Sequence, residues 1–196
     1  MKPLAKMERF LDELDHPARS ARTTPDGAGT AAHAGTAAGR ELPPVVLAAL
    51  GPKMLELSAT RSGAHPYFTT PEHTRFARDV LGAAPLLVPE QAVTLTGSQA
   101  DGLAGGRAYA GRYLKMPNYT RNLKKFGFTD ADIADGGSDR LISAIIPSGA
   151  PAALARVREH LDAGADHVVI QPLTVDGTHP SAQITELAGV VAELLR

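Results

Sequence analysis

The chain contains no cysteine and no tryptophan, and only 5% of its 196 residues are aromatic. The lack of cysteine excludes disulfides, thiolate metal ligands and a cysteine nucleophile, and it is the usage expected of a cytoplasmic protein. So few aromatic residues argue against the stacking platforms on which proteins bind single-stranded nucleic acid. The formal net charge of −1 predicts no strong attraction to nucleic acid or to an anionic membrane.

Long apolar runs are also absent from the sequence. No stretch approaches the roughly 20 apolar residues that a membrane helix needs, and residues 1–4 lack the apolar core of a signal peptide. The seven histidines show no metal-ligand spacing such as H-E-x-x-H, so no metal site is predicted. With 43% hydrophobic and 21% charged residues, the chain is typical of a globular domain with a sizeable core.

The most informative segment is residues 43–57, PPVVLAALGPKMLEL. It predicts a buried strand over residues 45–49 that stops at Gly51 and restarts as a helix with Pro52 in its first turn. Backbone N–H groups at such a strand-to-helix turn are free and can hold a phosphate. The alternative is that Gly51 merely makes a tight turn and Pro52 merely starts a helix. We favour a phosphate-bearing cofactor.

Strands and helices alternate along most of the chain. Hydrophobic periodicity and capping residues predict long helices at 3–14, 52–61, 70–82, 98–115, 151–163 and 180–195, short helices between 117 and 145, and strands at 45–49, 64–68, 91–95 and 166–172. Strands that are apolar on both faces and alternate with helices predict a parallel sheet covered by helices.

Two segments do not follow this alternation well. Residues 16–42 are rich in alanine, glycine and threonine, show no apolar periodicity and are predicted to be a flexible loop. The helix at 98–115 contains Gly102, Gly105, Gly106 and Gly111. Each glycine costs about 1 kcal/mol relative to alanine in a helix interior, so this helix should be weak unless packing stabilises it.

Several of these segments resemble the bacterial-luciferase-like family, and in particular its F420-dependent (deazaflavin) oxidoreductases. Residues 47–57 resemble the fifth strand and following helix of that family, and residues 63–73 resemble the sixth strand and its helix. Residues 113–128 and 138–141 match the insertion after the seventh strand, and residues 149–168 match the last helix and the eighth strand. The resemblance covers residues 42–173, and residues 3–14 resemble the fourth helix.

The resemblance implies an α/β fold of the (β/α)8 TIM-barrel type, with this chain carrying only the C-terminal half. Residues 1–196 would form one partial barrel domain, in which residues 43–196 supply strands five to eight with their helices. The family's first four strands carry much of the ring pocket and the usual acid/base histidine, so no catalytic residue is assigned. A half-barrel exposes two sheet edges and an apolar inner face, so we expect a homo-oligomer or a partner that supplies the other half.

The resemblance also implies a function. It predicts an F420-dependent oxidoreductase or monooxygenase that performs hydride transfer or oxygenation on a small organic substrate. An FMN-dependent monooxygenase of the same family is one alternative, because both cofactors carry a phosphate. The other alternative is an inactive or partner-dependent half-barrel fragment.

The same resemblance also implies candidate site residues. The turn formed by Ala49, Leu50, Gly51 and Pro52 is predicted to bind the cofactor phosphate.

His65 and Tyr67, near the end of the sixth strand, and Gln171, at the end of the eighth, are candidate substrate contacts. Each residue has a simpler alternative role. His65 could be a solvated imidazole before Pro66, Tyr67 could be a packing residue, and Gln171 could make only a loop hydrogen bond.

Polar residues elsewhere in the chain are predicted to have structural roles. Asp166 and His167 are predicted to form a structural hydrogen-bonding pair at the start of the last strand. A basic run with no acid between Asp101 and Asp130 could steer an anionic cofactor tail, but a solvated helical face is favoured. Its members are Arg107, Arg112, Lys115, Arg121, Lys124 and Lys125.

Overall fold

The computed structural model describes residues 3–14, 45–96, 98–174 and 178–194. The chain divides into two compact units, residues 1–45 and 46–196. In the first unit the structure describes helix α1 (Pro3–Leu14), which confirms the predicted helix. The loop predicted at residues 16–42 lies outside the described residues.

The second unit alternates short strands with helices. Its strands are β1 (Val46–Leu47), β2 (Gly63–Ala64), β3 (Glu90–Thr94) and β4 (Val169–Leu173). Its helices are α2 (Pro52–Arg61), α3 (Pro71–Leu81), α4 (Gln99–Tyr113), α5 (Pro117–Lys125), α6 (Asp130–Ile133), α7 (Asp139–Ile145), α8 (Ala150–Asp162) and α9 (Ser181–Leu194), with a 3-10 turn at Ala134–Gly136. The predicted mixed α/β fold is confirmed.

The described strands run parallel and follow the order of the chain. β1 pairs with β2, and β3 pairs with β4 with Glu90 opposite Val169. Backbone bonds from the segment before β3 connect the two pairs: Ala64 N donates to Leu86 O at 2.7 Å, and Glu90 N donates to Pro66 O at 2.9 Å. All five residues of β3 are buried, whereas β4 is partly exposed along its length.

Three of the four strands are shorter than predicted. β1 covers Val46–Leu47 instead of residues 45–49, whereas β3 keeps its predicted length and is shifted by one residue, to Glu90–Thr94. β2 covers Gly63–Ala64 instead of residues 64–68, because Pro66 has no N–H to donate to a ladder. β4 begins at Val169 instead of at 166, because the preceding segment is tied to other elements by side-chain bonds.

Those bonds come from Arg78 on α3, which binds several groups at the amino ends of β3 and β4. Its guanidinium donates to the carbonyls of Gly164, Gly82 and Pro85 and to the Asp166 carboxylate, at 2.6 to 3.0 Å. The same Asp166 oxygen accepts from Leu87 N at 2.8 Å. The predicted Asp166–His167 pair is therefore wrong. A planar fork with five donors can satisfy this many acceptors, which an imidazole cannot.

The glycines of α4 permit close packing. A Cβ at Gly102 would lie 2.0 Å from Ser148 Oγ and 2.6 Å from Ser148 Cβ, and a Cβ at Gly106 would lie 2.6 Å from Ile142 Cγ2. A Cβ at Gly111 would meet no atom within 4 Å. Close packing therefore accounts for two glycines of a helix that propensity alone marks as weak.

The α4 packing gives a matched pair of substitutions. Gly106→Ala should destabilise the protein by about 1–3 kcal/mol, because the new methyl group overlaps Ile142. Gly111→Ala should stabilise it by up to ~1 kcal/mol, since it restores helix propensity without a contact. Urea unfolding of both variants measures the difference. Equal effects of the two substitutions would contradict the packing role of Gly106.

Candidate functional site

The candidate site lies where parallel strands end, at the turn after β1 and the loop after β2. Because β1 and β2 are paired in parallel, with His65 N donating to Leu47 O at 2.7 Å, both connections leave from the same edge of the sheet. In open α/β sheets and barrels this edge carries the binding site.

The turn predicted to bind phosphate contains a buried residue and three more accessible ones. Ala49 is buried in an apolar cluster, Leu50 is half-buried, and Gly51 and Pro52 are exposed. The carbonyl of Gly51 accepts from Met54 N and Leu55 N, which starts α2. Among the described residues, the amides of Leu50 and Gly51 have no acceptor. A Cβ on Gly51 would meet nothing within 4 Å, so the space beside the turn is open.

A buried histidine holds the turn in place. His73 on α3 donates from Nε2 to Leu50 O at 2.8 Å, while its Nδ1 is buried and has no partner among the described residues. Burial lowers the pKa of His73 to about 4, so the ring is neutral at neutral pH. The donor role of Nε2 is fixed because a carbonyl oxygen can only accept.

The loop after β2 and strand β4 contribute to one polar cluster. Tyr67 Oη donates to Gln171 Oε1 at 2.6 Å and also contacts Tyr109 Oη on α4. Tyr109 Oη lies 3.2 Å from the same Gln171 oxygen. Burial, and in second place the bond to Tyr67, raise the pKa of Tyr109, and burial raises that of Tyr67. Both hydroxyls are therefore protonated at neutral pH.

Counting hydrogens shows what this cluster offers to a ligand. The two hydroxyl hydrogens can fill only two of the three contacts between these oxygens, and each hydrogen occupies one lone pair, so lone pairs remain that can accept from a ligand. The Nε2 amide group of Gln171 has no acceptor among the described residues. The cluster can therefore give a ligand both an acceptor and an amide donor.

Aromatic rings surround the cluster. All four tyrosines of the chain are here, because Tyr113 lies within 5.6 Å of Tyr67, 5.3 Å of Tyr109 and 5.1 Å of Tyr119, measured between ring centroids. Phe68 stacks on Tyr113 at 4.7 Å. The arrangement gives the polar cluster an apolar wall that can pack against a flat ring.

His65 has a fixed tautomer beside this wall. Its Nδ1 donates to Val88 O at 2.5 Å, and its ring lies 6.2 Å from that of Tyr67. Because the carbonyl takes the Nδ1 hydrogen, the neutral ring presents a bare Nε2. Such a nitrogen can accept a proton or a hydrogen bond from a ligand.

A buried acid, Glu90, lies under the same loop. It is 3% exposed, its Oε2 accepts from Phe68 N at 3.4 Å, and its Oε1 has no partner among the described residues. Burial raises the pKa of Glu90 to about 7. Its charge also raises the pKa values of Tyr67, Tyr109 and Tyr119, which shows that it is electrostatically coupled to the cluster.

Most of the basic run is engaged away from the site. Arg107 pairs with Asp139, Lys124 with Asp130, Arg121 donates to Pro117 O, and Lys125 lies over Phe76. Arg112 is different, because its guanidinium lies 4.7 Å and 4.8 Å from the centroids of Tyr109 and Tyr113. Among the contacts that the structure describes for this run, those of Arg112 are the ones that reach the tyrosine cluster.

The structure thus brings some predicted residues together and adds others. Tyr67 and Gln171 are in direct contact, and His65 is adjacent to Tyr67. Ala49, Leu50, Gly51 and Pro52 belong to the neighbouring connection on the same edge. Sequence reasoning missed Tyr109 and Glu90. Glu90 carried a usable signal, since an acid inside an otherwise buried strand is rare unless paired or functional.

A further cavity lies away from these residues. It has a volume of about 500 Å³ between α4, α8 and the segment before α8, and Thr96, Ser148, Arg156 and Glu159 contribute to its lining. Arg156 is neutralised by Glu159 at 2.7 Å. The cavity contains none of the predicted site residues, so we place the candidate site at the tyrosine cluster.

A second buried histidine, His160, links three elements of the fold by hydrogen bonds. His160 Nε2 donates to Gln91 Oε1 at 3.0 Å, because both amide hydrogens of Gln91 go to carbonyl oxygens. His160 Nδ1 therefore accepts from Thr74 Oγ1 at 2.7 Å. Burial lowers the pKa of His160 to about 4. This chain of bonds ties α8, β3 and α3 together.

The described residues contain no group of three or more histidine, aspartate or glutamate side chains placed to hold a metal ion. Among the same residues, no helix has the length and apolar character that crossing a bilayer requires.

Comparison with known proteins gives structural neighbours but no sequence relatives. No protein-family profile matches the chain, and no curated protein matches it in sequence. The coenzyme F420 dependent tetrahydromethanopterin reductase from Methanopyrus kandleri is similar over 66% of this chain and 44% of its own, with 15% identity and a TM-score of 0.52. The apo-MsnO8 structure is similar over 93% of this chain and 60% of its own, with 15% identity and a TM-score of 0.53.

A third neighbour, an F420-dependent secondary alcohol dehydrogenase in complex with an F420–acetone adduct, has 10% identity, covers 67% of this chain and 44% of its own, and reaches a TM-score of 0.49, too low to carry an argument. The chain therefore spans less than two thirds of the length of each of these proteins. At such low identity the first two likenesses show a shared fold. The closed barrel, and the assignment of this chain to one half of it, stay predictions.

The buried histidines predict acid sensitivity. Each has a folded pKa of about 4 against an ordinary value of 6.5, so its contribution to stability is complete above pH 6.5 and is lost as pH falls toward 4. Protonation of each histidine can lower the free energy of unfolding by up to roughly 3 kcal/mol at the acid end of this range. His160→Gln should flatten this loss, measured by urea unfolding between pH 7 and pH 4, and the exposed His167→Gln should not. An unchanged pH slope in His160→Gln would refute the assignment.

Proposed function

We propose that this chain belongs to an F420-dependent oxidoreductase that acts on a small organic substrate. The observation that carries the proposal is the direct bond between Tyr67 and Gln171, 104 residues apart, at the edge of the sheet where the turn proposed to bind phosphate also lies. The fold shared with an F420-dependent reductase supports it.

The turn at Ala49, Leu50, Gly51 and Pro52 suits the cofactor phosphate. The free amides of Leu50 and Gly51 and the start of α2 provide donors and a positive partial charge. The open space beside Gly51 leaves room for a phosphate. The bond from His73 to Leu50 O fixes the turn before a ligand arrives, which lowers the entropy cost of binding.

The tyrosine cluster suits a flat polar ring or a substrate. Gln171 Nε2 would donate to a ligand carbonyl, while a free lone pair in the cluster would accept from a ligand N–H or O–H. Tyr67 and Tyr113 would pack against an apolar face and keep water away. His65 would hold or move a proton at Nε2, since Val88 O fixes its Nδ1.

A reduced deazaflavin, when bound, supplies a hydride. The residues of this chain then have the tasks of binding the phosphate, orienting the ring and substrate, and providing or removing a proton. Flavin mononucleotide is the alternative cofactor, because its phosphate fits the same turn. Monooxygenation is the corresponding alternative reaction.

A second candidate is a partner-dependent fragment. Among the described residues, β1 and β4 each pair on one side only. β4 is partly exposed although it is apolar, and Val46 in β1 is exposed. A homo-oligomer, or a partner that supplies further strands, would cover these edges.

Cofactor titration tests the first candidate. Tyrosine fluorescence should show saturable quenching by F420, with weaker or no response to flavin mononucleotide. Gly51→Val should abolish binding because the side chain occupies the space proposed for the phosphate, while the fold stays intact. Gly189→Val on α9, another open position, is the matched control. Undiminished affinity in Gly51→Val would remove this turn from the site.

Solution size tests the second candidate. We expect sedimentation to show an assembly larger than one chain, with the larger species dominant at high protein concentration. A compact monomer at all concentrations would argue against a partner-dependent fragment. The cofactor titration should be repeated at each concentration, so that binding by the assembly is separated from binding by the single chain.

A further inference from the structure

Glu90 makes a bond on each side of Tyr67. Its backbone N–H donates to Pro66 O at 2.9 Å, and its side-chain Oε2 accepts from Phe68 N at 3.4 Å. One residue of β3 therefore holds the residues before and after the tyrosine that reaches Gln171. Tyr67 itself makes no bond to Glu90, so the effect on the tyrosine is indirect.

The loop held by these two bonds is strained at Phe68. Phe68 has a φ of 57°, in the left-handed region that bulky side chains rarely adopt. Such a conformation costs on the order of 1–2 kcal/mol and persists only where surrounding contacts hold it. Phe68 is held by its ring, which stacks on Tyr113 and meets Tyr119 edge-on in the hydrophobic core, and by its N–H, which points to Glu90.

The bond from Phe68 to Glu90 depends on the charge of the acid. An ionised carboxylate accepts an N–H roughly twice as strongly as a neutral acceptor does. Burial sets the pKa of Glu90 to about 7, so the acid changes its charge within the physiological range. Its Oε1 has no partner among the described residues, so no other group there fixes the proton.

The titratable groups around Glu90 are few. His65 and Tyr67 lie on the loop after β2, Tyr109 and Tyr113 on α4, and Tyr119 on α5. The exposed guanidinium of Arg112 lies against the rings of Tyr109 and Tyr113. The phenols of Tyr67, Tyr109 and Tyr119 stay protonated through neutral pH because their pKa values are raised. The His65 ring also lies beside Tyr67 on this loop, so its replacement serves as a control.

We propose that Glu90 is a positioning residue of the candidate site, whose negative charge holds the strained Phe68 amide and thereby locks Tyr67 onto Gln171 and Tyr109. Loss of the proton tightens the loop, and gain of the proton loosens it. The consequence for ligand binding rests on the proposed function; the coupling of Glu90 to the tyrosines does not.

The tyrosines provide a direct readout. Because the chain has no tryptophan and all four tyrosines lie in this cluster, the tyrosine band of the near-UV circular dichroism spectrum reports on the site alone. In the wild-type protein without ligand, the tyrosine signal should grow as pH rises through about 7. Glu90→Gln keeps an acceptor for Phe68 N but cannot ionise, so this step should vanish while a folded spectrum remains.

Three further measurements make the test decisive. His65→Gln should retain the step, which separates Glu90 from the imidazole. Glu90→Leu, which lacks an acceptor, should give a weak, pH-independent tyrosine signal. F420 affinity should fall about tenfold in Glu90→Leu. In Glu90→Gln, which keeps an acceptor but carries no charge, it should take a pH-independent value between those of Glu90→Leu and the wild type. A step that persists in Glu90→Gln, or a wild type without a step, overturns the proposal whether or not F420 binds.

Discussion

The central segment of the sheet, residues 86–94, must satisfy backbone hydrogen bonds on two sides, and the candidate site depends on this constraint. Toward β2 it pairs with Ala64 and Pro66, and toward β4 it sets Glu90 opposite Val169. The same segment offers Val88 O to His65 and the Glu90 carboxyl to Phe68. Hydrogen bonds to residues 86–94 therefore determine the conformation of the loop that carries Tyr67.

Helix α4 adds the second wall of the site through close packing. Gly102 and Gly106 are four residues apart and lie on the face that touches Ser148 and Ile142. Tyr109 follows Gly106 by three residues, so it projects from nearly the same face. Without side chains at the glycines, the helix can approach closely enough for the Tyr109 hydroxyl to contact Tyr67 and Gln171.

Local signals in the sequence predicted the helices well and the strands less well. The α3 bounds follow from Pro71 at the first position and Gly82 at the end, and a capping box at Thr129 begins α6. Both signals lie within a few residues of the helix end they mark. Strand ends depend on pairing between distant segments, so β2 and β4 came out shorter than expected.

The candidate site shows the same limit. Tyr67 and Gln171 could be named because a resemblance placed both at strand ends. Tyr109 could not, since its role follows from how closely α4 packs, and the glycines that permit this packing indicated only a weak helix. The Asp166–His167 pair failed because Arg78, 88 residues away from Asp166, provides a better donor set.

Arg78 has a consequence for how this fold can change. Its four acceptors tie together the amino ends of β3 and β4 and the end of α3, far along the strands from the tyrosine cluster. One side chain thus anchors the end of the sheet that takes no part in the candidate site. Loops at the opposite end can then accept new residues while the strands beneath them stay in register. A scaffold fastened at one end and free at the other can acquire new specificities without refolding.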